Sequence, residues 1–258
     1  MQHDVQNKIY LITGIASERS IAYGIAEVLS HYGAKLILTY QNERFRERVE
    51  TYGHQWNTLA TIECDVQNEA SLAECIRAVE SLECKLNGIV HSIAYADPEQ
   101  LQGRFLDAIT RDGFLKAHDI SAYSFCALLK AFESFLVPNE SAALTLTYLG
   151  SQRALPSYNV MGLAKASLEA AVRYTAANLG PSGIRVNAIS AGPIKTLAAS
   201  GIKGIKSMME QAQERSFLGR NITTREIGET AAFLLSNYSS AITGQIIYAD
   251  GGYSASAL

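Results

Sequence analysis

Tyr158 and Lys165, with Tyr148 ten residues before the first of them, are the side chains in this sequence best suited to polarising a substrate oxygen. Seven residues are nearly two turns of an α-helix, so the spacing predicts Tyr158 and Lys165 on one helical face. A free phenol titrates at about 10, and a fixed ammonium beside it favours the phenolate. Such a pair can feed a hydrogen bond or a proton to an oxygen that is becoming anionic. The same spacing also arises by chance on ordinary helices. Its position is what gives it weight: it follows an apolar strand and comes after a nucleotide-binding pattern near the N-terminus.

The elements that must hold this pair follow an alternating pattern. Short apolar runs at 9–13, 35–40, 58–64, 87–94, 142–148, 184–190 and 245–250 read as strands. Between them lie helical patterns, at 21–32, at 71–82 with Ser71 as its cap, and at 112–136, stopped by Pro138. A further helix is expected at 158–179. Continuous apolar strands joined by helical crossovers imply a parallel sheet covered on both faces. With right-handed crossovers, the expected fold is a single-domain, doubly wound α/β sheet over 1–258, of order 3-2-1-4-5-6-7.

Composition narrows the function. The chain of 258 residues is 48% hydrophobic and carries a net charge of -3, which argues against a nucleic-acid partner. Cys64, Cys75, Cys84 and Cys126 lack metal-ligand spacing and read as reduced thiols of a cytosolic protein. No metal site is expected from the five scattered histidines. The start of the chain has no apolar signal core, and no apolar run is long enough to span a membrane.

In a doubly wound sheet, ligands bind beyond the carboxyl ends of the strands. There, Gly14 can make a tight turn, and Ser20 and Ile21 open a helix whose amides suit a pyrophosphate. The second and third glycines of the usual fingerprint are replaced by Glu18 and Ser20. Gln41, past the second strand, is neutral and leaves NADH and NADPH both open, with NADH preferred. Arg44 is nearby, but its helix is rich in both charges and reads as a solvated face. Asp65 and Val66 could bracket an adenine, or Asp65 could cap the next turn.

Several motifs together resemble the short-chain dehydrogenase/reductase superfamily. The sequence is most similar to its divergent branch containing the bacterial NADH-dependent enoyl-acyl-carrier-protein reductases. The likeness extends over nearly the whole chain. Its markers are Gly14 to Gly24, HSIA at 91–94, AHDISAYSF at 117–125 and TYLG at 147–150. They continue with Tyr158, Met161 and Lys165, and with SAGPIKTLAASGI at 190–202. Ordinary superfamily members carry a serine thirteen residues before the tyrosine. Here that position is Thr145, and Tyr148 lies nearer.

The resemblance implies that Tyr158 hydrogen-bonds the carbonyl of a trans-2-enoyl thioester. Lys165 would hold the nicotinamide-ribose hydroxyls and tune Tyr158, and Tyr148, a third catalytic residue, would line the acyl pocket and support the reaction. Cofactor contacts would fall on Gly14, Ser20, Ile21, Gln41, Asp65, Val66 and Ile93, and on Ile194, Lys195, Thr196, Leu197 and Ala198. Ala96 and Met161 would meet substrate. Ala94 stands where many members have glycine, and Pro98 comes one place later than in the usual pattern. Residues 197–215 would form a substrate lid, with Ile202, Ile205 and Met208 toward the acyl chain. Lys203 and Lys206 would meet an acidic acyl carrier protein. Residues 224–258 would build a homotetramer. A carbonyl reductase of the same superfamily and a non-catalytic dinucleotide-binding protein are the competing readings.

Overall fold

The computed structural model describes residues 4–196 and 205–256. Seven parallel strands form one sheet of order β3-β2-β1-β4-β5-β6-β7. In chain order they are β1 (Ile9–Ile12), β2 (Lys35–Tyr40), β3 (Ala60–Glu63), β4 (Gly88–His91), β5 (Ala142–Thr147), β6 (Arg185–Ala191) and β7 (Ile246–Ala249). This is the order expected from the sequence. The reversal between β1 and β4 opens the crevice where a doubly wound sheet binds its ligand.

Alternation along the strands splits the core in two. Tyr10 and Ile12 pack on one face and Leu11 on the other. Likewise Ala142, Leu144 and Leu146 join the first face while Ala143 joins the second. Successive strand side chains point to opposite faces, so a sheet covered on both sides needs apolar residues at every position. The first face is covered by α1 (Ile21–His31) and α9 (Thr224–Leu235). The second is covered by α3 (Glu69–Glu80), α6 (Ser124–Phe132) and α7 (Val160–Leu179). Among the described residues the remaining α-helices are α2 (Glu43–Gln55), α4 (Phe105–Ala108), α5 (Arg111–His118) and α8 (Ile205–Arg215).

Beyond small shifts at strand ends, three differences from the sequence reading have a local reason. Helix α3 starts earlier, because Asn68, not Ser71, accepts from the amides of Ala70 and Ser71. The Ser71 hydroxyl instead accepts from the amide of Asp65, at 2.9 Å. The long helix expected at 112–136 is interrupted by a π-helical turn, Asp119–Tyr123. There the Ser121 hydroxyl binds both the amide and the carbonyl of Tyr95, tying this turn to the loop after β4. Such widened turns insert a residue and often mark functional positions.

The third difference touches Tyr158 and Lys165. Helix α7 begins at Val160, so Tyr158 is not on it. Ser157 and Asn159 on either side of Tyr158 both have positive φ, +60° and +41°. A tight turn therefore aims the phenol, and helical periodicity does not.

Candidate active site

The carboxyl ends of β1 to β6 converge on one cavity of about 760 Å³. At its nucleotide end the chain turns sharply at Gly14, where φ is +89°. A β-carbon there would lie 2.0 Å from the carbonyl oxygen of Ser92. The bare glycine thus lets the loop after β1 rest directly on the end of β4. The Ser20 hydroxyl accepts from the amides of Ala16 and Ser17, both at 3.0 Å, and makes no side-chain bond to the first turn of α1. Amides opening a helix lack intrahelical partners and attract anions. With Ser20 occupied by the loop, those of α1 remain suited to a pyrophosphate.

The other expected nucleotide residues sort as follows. Gln41, Asp65, Val66, Ile93, Ile194 and Thr196 all line the cavity, as do Ser20 and Ile21. One Asp65 carboxylate oxygen accepts from the Gln67 amide at 3.1 Å. The turn-capping alternative for Asp65 is therefore realised, and it coexists with a place on the wall. Lys195, between Ile194 and Thr196, is exposed and lies off the cavity wall. It follows Ile194 on a segment whose wall-facing positions are 194 and 196, so its side chain falls on the opposite side. Leu197 and Ala198 lie outside the described residues.

The chemical end holds Tyr148, Tyr158, Lys165, Ala96, Met161 and Met208 on the same wall. The rings of Tyr148 and Tyr158 pack edge to face, with centroids 5.1 Å apart. Gly150 permits this packing, since a β-carbon there would lie 2.3 Å from the Tyr158 ring. The Tyr148 hydroxyl donates to the Met208 sulfur at 3.4 Å, joining α8 to this wall. Ile205 opens α8, and Ile202 and Lys203 lie outside the described residues.

Burial sets the protonation of the pair. It raises Tyr158 well above an ordinary phenol, with Tyr148 and Glu169 adding to the effect. This reverses the expectation that Lys165 lowers Tyr158. The Lys165 ammonium is committed to the carbonyl of Leu146, at 2.7 Å, and desolvation of the phenolate outweighs the cation. Tyr158 is therefore held as a proton-bearing donor. Lys165 itself is pushed down to about 8 by burial, with Glu169 opposing. From its ordinary 10.5 that represents roughly 3 kcal/mol against the cation.

Thr145 is taken out of play. Its hydroxyl lies 2.8 Å from Nδ1 of His91 and 3.2 Å from the His91 carbonyl, and it is fully buried. His91, held down to about 3 by burial and by Lys165, also contacts the Ser124 hydroxyl at 2.8 Å. The position of the usual serine thus supports the core, and Tyr148 takes the place beside Tyr158.

Comparison with known proteins identifies the family. The family described as enoyl-(acyl carrier protein) reductase matches residues 14–254. The chain is 49% identical over 254 residues to the Escherichia coli (strain K12) enoyl-[acyl-carrier-protein] reductase [NADH], covering 98% of this chain and 97% of that protein. It is 44% identical to the Staphylococcus aureus relative named as the NADPH enzyme, covering 98% of each. The chain belongs to the enoyl-acyl-carrier-protein reductases. The crystal structure of the Aquifex aeolicus NADH reductase superimposes with a TM-score of 0.95 at 40% identity, covering 98% of this chain and 99% of that one.

Several wall residues of this reductase escaped the sequence reading. Phe45 lines the nucleotide end from within α2, the helix read as a solvated face. A lone aromatic among charges was the available signal. Lys116 and Tyr95 reach the cavity because both bind Asp97, at 2.8 and 2.9 Å, and the Lys116 ammonium lies over the Tyr95 ring. They are 21 residues apart, and sequence alone gives no reason to pair them. Among the described residues no cluster of three His, Cys, Asp or Glu could hold a metal, and no helix is long and apolar enough to cross a membrane.

Proposed function

We propose that this reductase uses Tyr158 and Lys165 as its catalytic residues in the NADH-dependent reduction of the trans-2 double bond of enoyl thioesters. The product is the saturated acyl thioester, and the reaction closes each cycle of fatty-acid elongation. The observation that carries the reading is one cavity bordered by the Gly14 turn at one end and by Tyr148 and Tyr158 at the other. NADH, when bound, supplies the hydride for the electrophilic C3 of the conjugated thioester. Its pyrophosphate is assigned to Gly14, Ser20 and Ile21, its adenosine to Gln41, Asp65 and Val66, and its nicotinamide half to Ile93, Lys165, Ile194 and Thr196. Gln41 is neutral, Arg46 is tied to Glu43 and Glu50, and Arg48 binds the carbonyl of Ala16. These arrangements favour NADH over NADPH.

Reduction at C3 leaves negative charge on C2, and conjugation delocalises it onto the carbonyl oxygen. The Tyr158 hydroxyl, still carrying its proton, donates to that oxygen. Lys165 orients the ribose, and its positive charge lowers the energy of the developing enolate. Protonation at C2 completes the reduction. Tyr148, Ala96, Met161 and Met208 shape the acyl site. Ala94 and Ala96 pack with Leu101, Val160 and Met161 in one apolar group beside Tyr158, suited to an aliphatic chain. A carbonyl reductase would need a hydroxyl at position 145 facing the substrate, and Thr145 is engaged with His91. NADH consumption should occur with a crotonyl thioester and not with a keto-thioester. The opposite preference would overturn the assignment.

The single domain carries a lid at 197–215, of which α8 brings Met208 to Tyr148. The acyl carrier protein presents the enoyl chain at this lid. Lys206, with its side chain 92% exposed, and Lys203 are assigned to its acidic surface. Reversing both charges should raise KM for carrier-bound substrate several-fold while leaving a CoA analogue unaffected. Equal effects on both substrates would remove the lysines from carrier recognition. Partly exposed Phe233 and Tyr248 support assembly into a homotetramer through the C-terminal segment. The enzyme is assigned to the cytoplasm, consistent with its four free thiols.

A further inference from the structure

We propose that Glu169 is a positioning residue of this active site. From behind the cavity wall it ties the turn bearing Tyr148 to the helix bearing Lys165, and it supplies the negative charge that keeps Lys165 a cation. The proposal rests on the role given to Lys165 above.

Glu169 follows Lys165 by one helical turn on α7, so the two side chains leave the same face. It is only 6% exposed and does not line the cavity. One carboxylate oxygen accepts from the Thr147 hydroxyl at 2.7 Å and from the Ser151 hydroxyl at 2.5 Å. These two residues bracket Tyr148 and the 3-10 turn Leu149–Ser151. The Lys165 ammonium holds the carbonyl of Leu146 just before them. Two successive turns of α7 therefore grip the chain on either side of Tyr148, at the end of β5 and at the 3-10 turn.

Hydrogen bonding alone does not account for an acid here. Both partners are hydroxyls, and among the described residues no lysine or arginine side chain bonds this carboxylate. A buried carboxylate without a bonded cation is costly, and a glutamine could accept from the same hydroxyls. What a glutamine lacks is the charge. That charge opposes the desolvation of Lys165, which burial brings down to about 8, and it adds to the upward push on Tyr158. One anion thus favours the proton-bearing form of both groups.

Other ionisable groups near Lys165 do not supply this charge. His91 on β4 is held neutral, and Tyr148 and Tyr158 are both raised. Asp250 and Tyr248, near the end of β7, act on Tyr148 or sense Glu169 without bonding Lys165. On α5, Lys116 is paired with Asp97 and His118 with the carbonyl of Phe114. In the π-helical turn, Asp119 is bound by Gln67.

The test is the pH profile of kcat/KM for a crotonyl thioester in Glu169→Gln, Glu169→Asp, Ser151→Ala and Lys165→Ala. Without the anion the Lys165 cation is less favoured, its pKa falls, and the alkaline limb should move down by about one pH unit in Glu169→Gln. The carboxylate of Glu169→Asp should restore the limb. Ser151→Ala should lower kcat several-fold with the limb unmoved. A limb in its original place in Glu169→Gln, or full kcat in Ser151→Ala, overturns the proposal. If Glu169→Gln does not fold, the limb of Glu169→Asp decides: retention at its original pH supports the charge role, and displacement overturns it. Near-normal activity in Lys165→Ala would instead sink the underlying reading of Lys165, which separates the two failures.

Discussion

Tyr158→Phe lowers kcat for enoyl-thioester reduction by about 100- to 1000-fold, the usual cost of deleting one preset oxyanion donor. NADH affinity and the unfolding midpoint stay close to those of the parent. The ring that packs edge to face on Tyr148 is retained, and so is the contact with Gly150. The Tyr158 side chain lines the cavity, so removing its hydroxyl leaves no buried protein group orphaned. Steady-state kinetics with NADH fluorescence titration measure both quantities. A kcat within threefold of the parent would remove the hydroxyl from the chemistry. Burial keeps this phenol protonated throughout the working range, so an alkaline limb near pH 8 belongs to Lys165.

Gly14→Ala has an effect of similar size by a different route. The left-handed φ of +89° costs an alanine on the order of 1–2 kcal/mol. The larger cost is steric. The new methyl would meet the Ser92 carbonyl at 2.0 Å, where unbonded heavy atoms need roughly 3.5 Å. Two stretches of backbone that meet at the nucleotide site must then separate. NADH affinity should fall at least about a hundredfold, equivalent to roughly 3 kcal/mol. The unfolding midpoint should fall with it, because the loop after β1 rests on the end of β4. NADH titration and thermal unfolding provide the check, and an affinity within threefold would contradict the cradle assigned to this turn.

The two variants differ in what each leaves intact. Tyr158→Phe changes one polar atom facing the cavity and spares the frame. Gly14→Ala moves the frame and spares every catalytic side chain. Their separation in kcat and in NADH affinity therefore tests the division of the cavity into a chemical end and a nucleotide end.

The sequence by itself determined the sheet and its order. Seven apolar runs separated by helical patterns admit few arrangements, because a buried parallel strand must be apolar on both faces and its crossovers must be right-handed. It also placed Gly14, Asp65 and Tyr148 just past strand ends, where such a sheet binds ligands, Ser20 at the start of the first helix, and Tyr158 and Lys165 on the helix that follows the fifth strand. Tertiary structure decided how these residues work. Tyr158 owes its aim to a turn with positive φ on both sides, which helical spacing does not encode. Its proton is held by burial, against the pull of the lysine that the sequence set beside it. The partners of Lys165 and Glu169, at Leu146, Thr147 and Ser151, lie on another element 18 to 22 residues away. Desolvation and contacts of this kind depend on how elements pack, and spacing along one chain does not carry that information.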